Sequence, residues 1–107
     1  MATRVFRMKL FPGCAELYRQ RHDELWPELR TALLDAGVED YHIYLDETDH
    51  ALFAVMHHSE PHRLEELPQL PVMQRWWAYM ADIMHSNPDH SPVCTDLQTV
   101  FSLRAGT

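Results

Sequence analysis

Glycine is scarce in this chain, three among 107 residues. None belongs to a glycine-rich phosphate loop, a Gly-x-Ser-x-Gly elbow or a Walker-type segment, so nucleotide cofactors and serine-hydrolase chemistry have no support. Cysteine is also sparse. Cys14 and Cys94 are distant and form no Cys-x-x-Cys pair, which reads as two free, partly buried thiols in a reducing cytoplasm. No apolar run is long enough to span a bilayer. The N-terminal segment alternates apolar and basic residues where a signal peptide would carry a continuous apolar stretch, so a cytoplasmic protein with no membrane partner is expected. Basic residues are outnumbered, nine Lys and Arg against sixteen Asp and Glu. The arginines do not cluster, and nucleic acid is excluded as a partner for want of a phosphate-binding footprint. There is no internal repeat and no low-complexity tract.

With 46% hydrophobic and 23% charged residues, the composition is that of a globular protein. Its length suits a single domain over residues 1–107, near the size at which a second subunit helps. Apolar and basic residues alternate from Val5 to Phe11, as in a strand with one buried face, and Pro12-Gly13 ends it. From Cys14 to Ala36, Tyr18, Leu25, Leu29, Ala32, Leu33 and Ala36 recur at three- and four-residue steps. That is an amphipathic helix closed by Gly37, and Pro27 must kink or restart it. Tyr41, Ile43 and Leu45 and then Leu52 to His57 form two alternating runs around the polar turn Glu47–His50, an antiparallel hairpin. A short helix is expected from Ser59 through Leu67, interrupted by Pro68 and Pro71. A second amphipathic helix follows from Val72 to Met84, then a stiff polar loop from His85 to Pro92 and a closing strand from Leu97 to Leu103. The order β-α-β-β-α-β is the ferredoxin-like split βαβ arrangement, an α+β fold with helices on one face of a four-stranded antiparallel sheet. Each strand carries apolar residues on both faces, Tyr44 beside Ile43 and Phe53 beside Leu52, so the open face is expected to pack on a second copy as a homodimer.

Three groups of residues invite chemistry. His22 falls on the apolar stripe of the first helix, where an imidazole is partly desolvated and titrates near neutrality, with Tyr18 one turn before it. The ordinary structural reading is a core histidine bonded to a backbone carbonyl. Trp76 and Trp77 are adjacent and cannot share one helical face. Trp76 joins Val72, Met80 and Ile83 on a core stripe, which leaves Trp77 to line a pocket, since an indole stacks on the C–H face of a sugar or on an aromatic ligand. Eight histidines raise the question of metal. Only His57, His58 and His62 are close in sequence, and their spacing is weak: neighbouring strand residues face opposite ways and Pro61 disturbs the helix that would align His58 with His62. No metal site is expected.

Taken together and in order, Tyr18-Arg-Gln-Arg-His22, Leu25-Trp-Pro-Glu-Leu29, Tyr41-x-Ile-Tyr-Leu-Asp46, Gln74-Arg-Trp-Trp77, Met80 and Asn87-Pro-Asp89-x-Ser-Pro-Val93 resemble the L-rhamnose mutarotase family over nearly the whole chain. The resemblance implies a dimeric α+β barrel of ferredoxin-like subunits. It also implies a cytoplasmic isomerase that interconverts the α and β anomers of L-rhamnose without a cofactor. By matching position, His22 is the implied proton donor, and Tyr18, Tyr41, Trp76 and Trp77 are implied to bind the sugar. Tyr41 enters through the resemblance alone. The second proton acceptor stays open among a tyrosine, Asp89 and water. Rival readings on the same fold are a non-catalytic sugar-binding module and a cofactor-free monooxygenase acting through Trp77 and His22.

Overall fold

A computed structural model describes residues 2–106, so the outermost two residues of the 1–107 domain reading, Met1 and Thr107, lie outside the described residues. Strand β1 (Ala2–Lys9) leads to helices α1 (Ala15–Asp23) and α2 (Pro27–Ala36), then to β2 (Val38–Asp46) and β3 (Ala51–His58). A 3₁₀ segment (Leu64–Gln69), helix α3 (Pro71–Met80) and a two-residue β4 (Thr95–Asp96) complete the order. The strands form one antiparallel sheet in the order β2-β3-β1-β4, the split βαβ pattern. No helix is long and apolar enough to cross a membrane among the described residues.

Alternation sets the two faces of the sheet. Leu52 and Ala54 of β3 and Met8 of β1 are buried, and with Leu10 they meet Leu29, Val72, Trp76 and Met80 from the helices, while Met56 of β3 packs with Ala36, Leu64 and Leu67. Val5, Phe53 and Val55 point the other way and are only half-buried, while Tyr44 is 60% exposed. The helical layer therefore covers one face, and an apolar opposite face is left.

Two prolines divide the helical layer, because the residue before proline is driven out of the α region and proline itself suits a first turn. Trp26 has ψ 129° before Pro27 and Leu70 has ψ 132° before Pro71. Pro27 thus restarts the helix, and residues 24–26 form the break. Gly37 closes α2 at φ 115°, as its position suggested.

Three boundaries differ from the sequence reading. The 59–67 segment is a turn followed by 3₁₀ helix, since Pro61 and Pro68 deprive a regular helix of donors. Helix α3 stops at Met80, yet Ile83 and Met84 stay buried because Leu10 bridges to Met84. The closing strand is the larger correction. Only Thr95 and Asp96 pair, with Arg7 and Phe6, and residues 97–103 make no ladder. Val100, Phe101 and Leu103 are 93%, 78% and 85% exposed. Their alternation is genuine, but within this chain they meet no surface that would bury it.

Candidate active site

Tyr18 and His22 share one face of α1, with ring centroids 4.3 Å apart. His22 Nδ1–H donates to the Tyr18 carbonyl at 2.9 Å, so the backbone contact expected of a core histidine is present. The ring is only part-buried, however, and that contact leaves the lone pair on Nε2. Burial holds the imidazole below its ordinary range, with the Tyr18 carbonyl and Asp23 opposing, so the neutral form prevails at neutral pH.

The imidazole lines a cavity of about 510 Å³ between α1 and β2, together with Tyr18, Tyr41, Ile43 and Leu45. Tyr41 is also a wall of a second cavity of about 290 Å³, lined by Phe6, Met8, Trp77 and Cys94. Tyr41 therefore lines both spaces. Burial pushes the Tyr18 phenol far above the ordinary range, with Cys94 adding. Burial does the same to Tyr41, with Tyr18 and Cys94 adding. Burial thus favours the protonated phenol at both positions, a form that can donate or accept a hydrogen bond.

The paired tryptophans separate as their spacing required. Trp77 is half-buried at the second cavity. Trp76 is 7% exposed, lines neither cavity and packs edge-on to His22 at 5.3 Å and to Trp26 at 5.2 Å. It backs the imidazole. Asp89 is separate from His22: it accepts from the Ser91 amide at 3.0 Å and the Ser91 hydroxyl at 2.5 Å, within a shallow space it shares with Trp77.

Three contributors escaped sequence reasoning. Trp26 packs edge-on to Trp76 and against Tyr79 at 5.4 Å, which explains a large ring at the helix break. Arg21 clamps α1 to the end of α3 by donating to the Tyr79 carbonyl at 2.7 Å and to both Asp82 oxygens at 2.8 and 3.2 Å, its guanidinium lying 4.4 Å from the Tyr79 ring centroid. Cys94 borders the second cavity, and burial, with Asp96 adding, pushes its thiol up. No spacing rule brings residue 94 to residues 18 and 41, because only the return of the chain to β1 places it there.

The comparisons with known proteins meet this geometry along the same residues. The family model described as L-rhamnose mutarotase matches residues 3–103. The chain belongs to the L-rhamnose mutarotase family. An L-rhamnose mutarotase of Sinorhizobium fredii is 54% identical over 103 residues, covering 96% of this chain and 99% of that one. One from Agrobacterium fabrum is 56% identical over 98 residues, 92% of each. The crystal structure of the L-rhamnose mutarotase from Formosa agariphila superposes with a TM-score of 0.89 at 41% identity, over 97% of this chain and 100% of that one. A Pseudomonas aeruginosa protein with a TM-score of 0.57 and 17% identity, over 92% of this chain and 93% of its own, shares the fold alone. Family membership accounts for the order of motifs from Tyr18 to Val93.

Proposed function

We propose that this protein is an L-rhamnose mutarotase, an isomerase that exchanges the α and β anomers of L-rhamnopyranose in rhamnose metabolism. It works in the cytoplasm, without a cofactor, as a homodimer of single-domain ferredoxin-like subunits closed into an α+β barrel. The observation that carries this reading is family membership over almost the entire chain, joined to a cavity lined by His22 together with Tyr18 and Tyr41.

Anomer exchange needs a proton removed from the anomeric hydroxyl and one delivered to the ring oxygen. The C–O ring bond then breaks, the open aldehyde turns, and the hydroxyl adds back to its other face. Neutral His22 accepts the first proton on Nε2 and, as imidazolium, is the proton donor to the ring oxygen. Both oxygens are bonded to the same carbon, so one nitrogen serves both with a small shift of the sugar. Tyr18 and Tyr41 donate hydrogen bonds to sugar hydroxyls. Trp77 offers an indole face to the sugar's C–H surface and its C6 methyl, and Trp76 supports the site by bracing the imidazole.

Dimerisation is supported by the apolar outer sheet face and by the exposed Val100, Phe101 and Leu103, surfaces that a second copy would bury.

The test is to dissolve crystalline α-L-rhamnose and follow its approach to anomeric equilibrium by polarimetry or proton NMR. Wild type is expected to accelerate it, and His22→Ala to lose roughly 10²–10⁴-fold of that acceleration. A wild-type protein that binds rhamnose without speeding equilibration would replace this reading by the binding module. Equal acceleration by the variant would keep the function and remove His22 from it.

A further inference from the structure

We propose that His58, Glu60 and His62 form a binding site for a divalent transition-metal ion of the zinc class, at the turn that follows β3. One ligand atom from each residue lies within 4.8 Å of the others. The two imidazole rings meet at 4.6 Å and 76°. His58 is 3% exposed, His62 is half-buried and Glu60 reaches solvent, so the group opens outward. None of the three lines either cavity of the candidate active site.

Sequence spacing argued against this group, because Pro61 rules out the helix that would align His58 with His62. The chain aligns them by a different route. Ser59 N–H donates to the Gly37 carbonyl at 2.8 Å and Arg63 N–H to the Ala36 carbonyl at 2.8 Å. Residues 59–63 are thereby folded back on the end of α2, and His62 returns to the side of His58.

The groups behind the imidazoles favour an ion. His58 Nδ1–H donates to the Ser59 carbonyl at 3.0 Å, which leaves Nε2 with its lone pair free. Nδ1 of His62 lies 3.4 Å from a Glu65 carboxylate oxygen, and Glu65 is itself held by Arg4 at 2.9 Å. An oxygen on one ring nitrogen that fixes the tautomer and turns the other nitrogen to the metal is the usual outer arrangement of metal-binding histidines. Without an ion, the Leu64 N–H reaches His62 Nδ1 at 3.1 Å. With an ion on Nε2, the ring proton moves to Nδ1, which gives up the Leu64 contact and donates to Glu65 instead. Glu60 Oε1, now 3.6 Å from His58 Nδ1, is on an exposed side chain and so is free to turn toward an ion.

Two imidazoles and one carboxylate with a free fourth position suit zinc, cobalt or nickel, and suit calcium or magnesium poorly, since those require more oxygen donors. The ion would tie the end of β3 to the entry of the 3₁₀ segment and stabilise the folded chain by mass action.

The experiment titrates Zn²⁺ by calorimetry and Co²⁺ by visible absorption into the chelator-treated full-length protein, with thermal melts on each sample. Wild type is expected to bind one ion per chain and to melt at a higher temperature with Zn²⁺ present. His62→Asn should abolish saturable binding. Glu60→Gln and Glu65→Gln should each weaken it, Glu65→Gln by roughly ten- to a hundredfold. His57→Asn, on the opposite face of β3, should leave it unchanged. Because Glu60 is exposed, its variant keeps the test open even where the His62 variant folds poorly. Absence of saturable binding in wild type, or binding that survives both Glu60→Gln and His62→Asn, or loss with His57→Asn alone, would each overturn the proposal.

Discussion

At the scale of single residues, the imidazole of His22 couples activity and stability to pH in the same direction. Burial disfavours its charged form, so its folded pKa is below the ordinary histidine value of 6.5. The unfolded chain therefore takes up the proton first as pH falls. The contribution of neutral His22 to stability is complete above about pH 6.5 and is lost as pH drops through the depressed folded value. In the proposed mechanism catalysis would follow the same sign, since a protonated Nε2 in the free enzyme cannot accept the anomeric proton. The acid limb of kcat/KM for rhamnose equilibration is thus expected to bend below the ordinary histidine pKa. The phenols contribute no limb in the neutral range, since burial holds both far above it. A pH–rate profile measured under second-order conditions checks this. A limb that bends well above 6.5, with activity rising toward acid, would reassign His22 to an imidazolium resting state.

At the scale of elements, the sequence disclosed most where periodicity and punctuation coincide. β3 is a clean alternation and was legible; α2 was legible from Pro27 at its start and Gly37 at its end. Tyr18 and His22 were legible as a pair because a helical turn alone places them together. Tyr41 was not, because its partners come from α1 and from the segment containing Cys94, and no local spacing encodes that meeting. The 59–63 turn was opaque for the same reason, since its shape is set by carbonyls of residues 36 and 37 across the fold. Gly37 is the residue on which that packing turns. Its φ of 115° disfavours an L side chain, and an added Cβ would stand 2.8 Å from Ser59 Oγ and 3.0 Å from His62 Cβ. Gly37→Ala is therefore expected to destabilise the fold by at least roughly 1–2 kcal/mol, read as a lower midpoint in urea with an unchanged m-value. An unaltered midpoint would show that the turn yields without cost.

At the scale of the whole molecule, one chain leaves an imbalance that a second chain would resolve. The helical layer buries one face of the sheet, while Val5, Phe53 and Val55 on the other are only half-covered and Tyr44 is 60% exposed. Beyond β4 the chain continues through Leu97, Val100, Phe101 and Leu103, all exposed and apolar, with no ladder partner of its own. Burial of apolar surface is worth about 25 cal/mol per Å², so a partner that covers both the sheet face and this segment gains from each. In the proposed dimer, pairing between chains would satisfy the alternation over residues 97–103, which form no strand within this chain. Replacing Val100, Phe101 and Leu103 together with Asp is expected to leave the two-layer core intact while converting dimer to monomer in sedimentation. The wild-type melting temperature should rise with protein concentration, and that dependence should vanish in the variant. A wild type that sediments as a monomer at all concentrations would remove the dimer from the reading; an aspartate variant that remains dimeric would assign the interface to the sheet face alone.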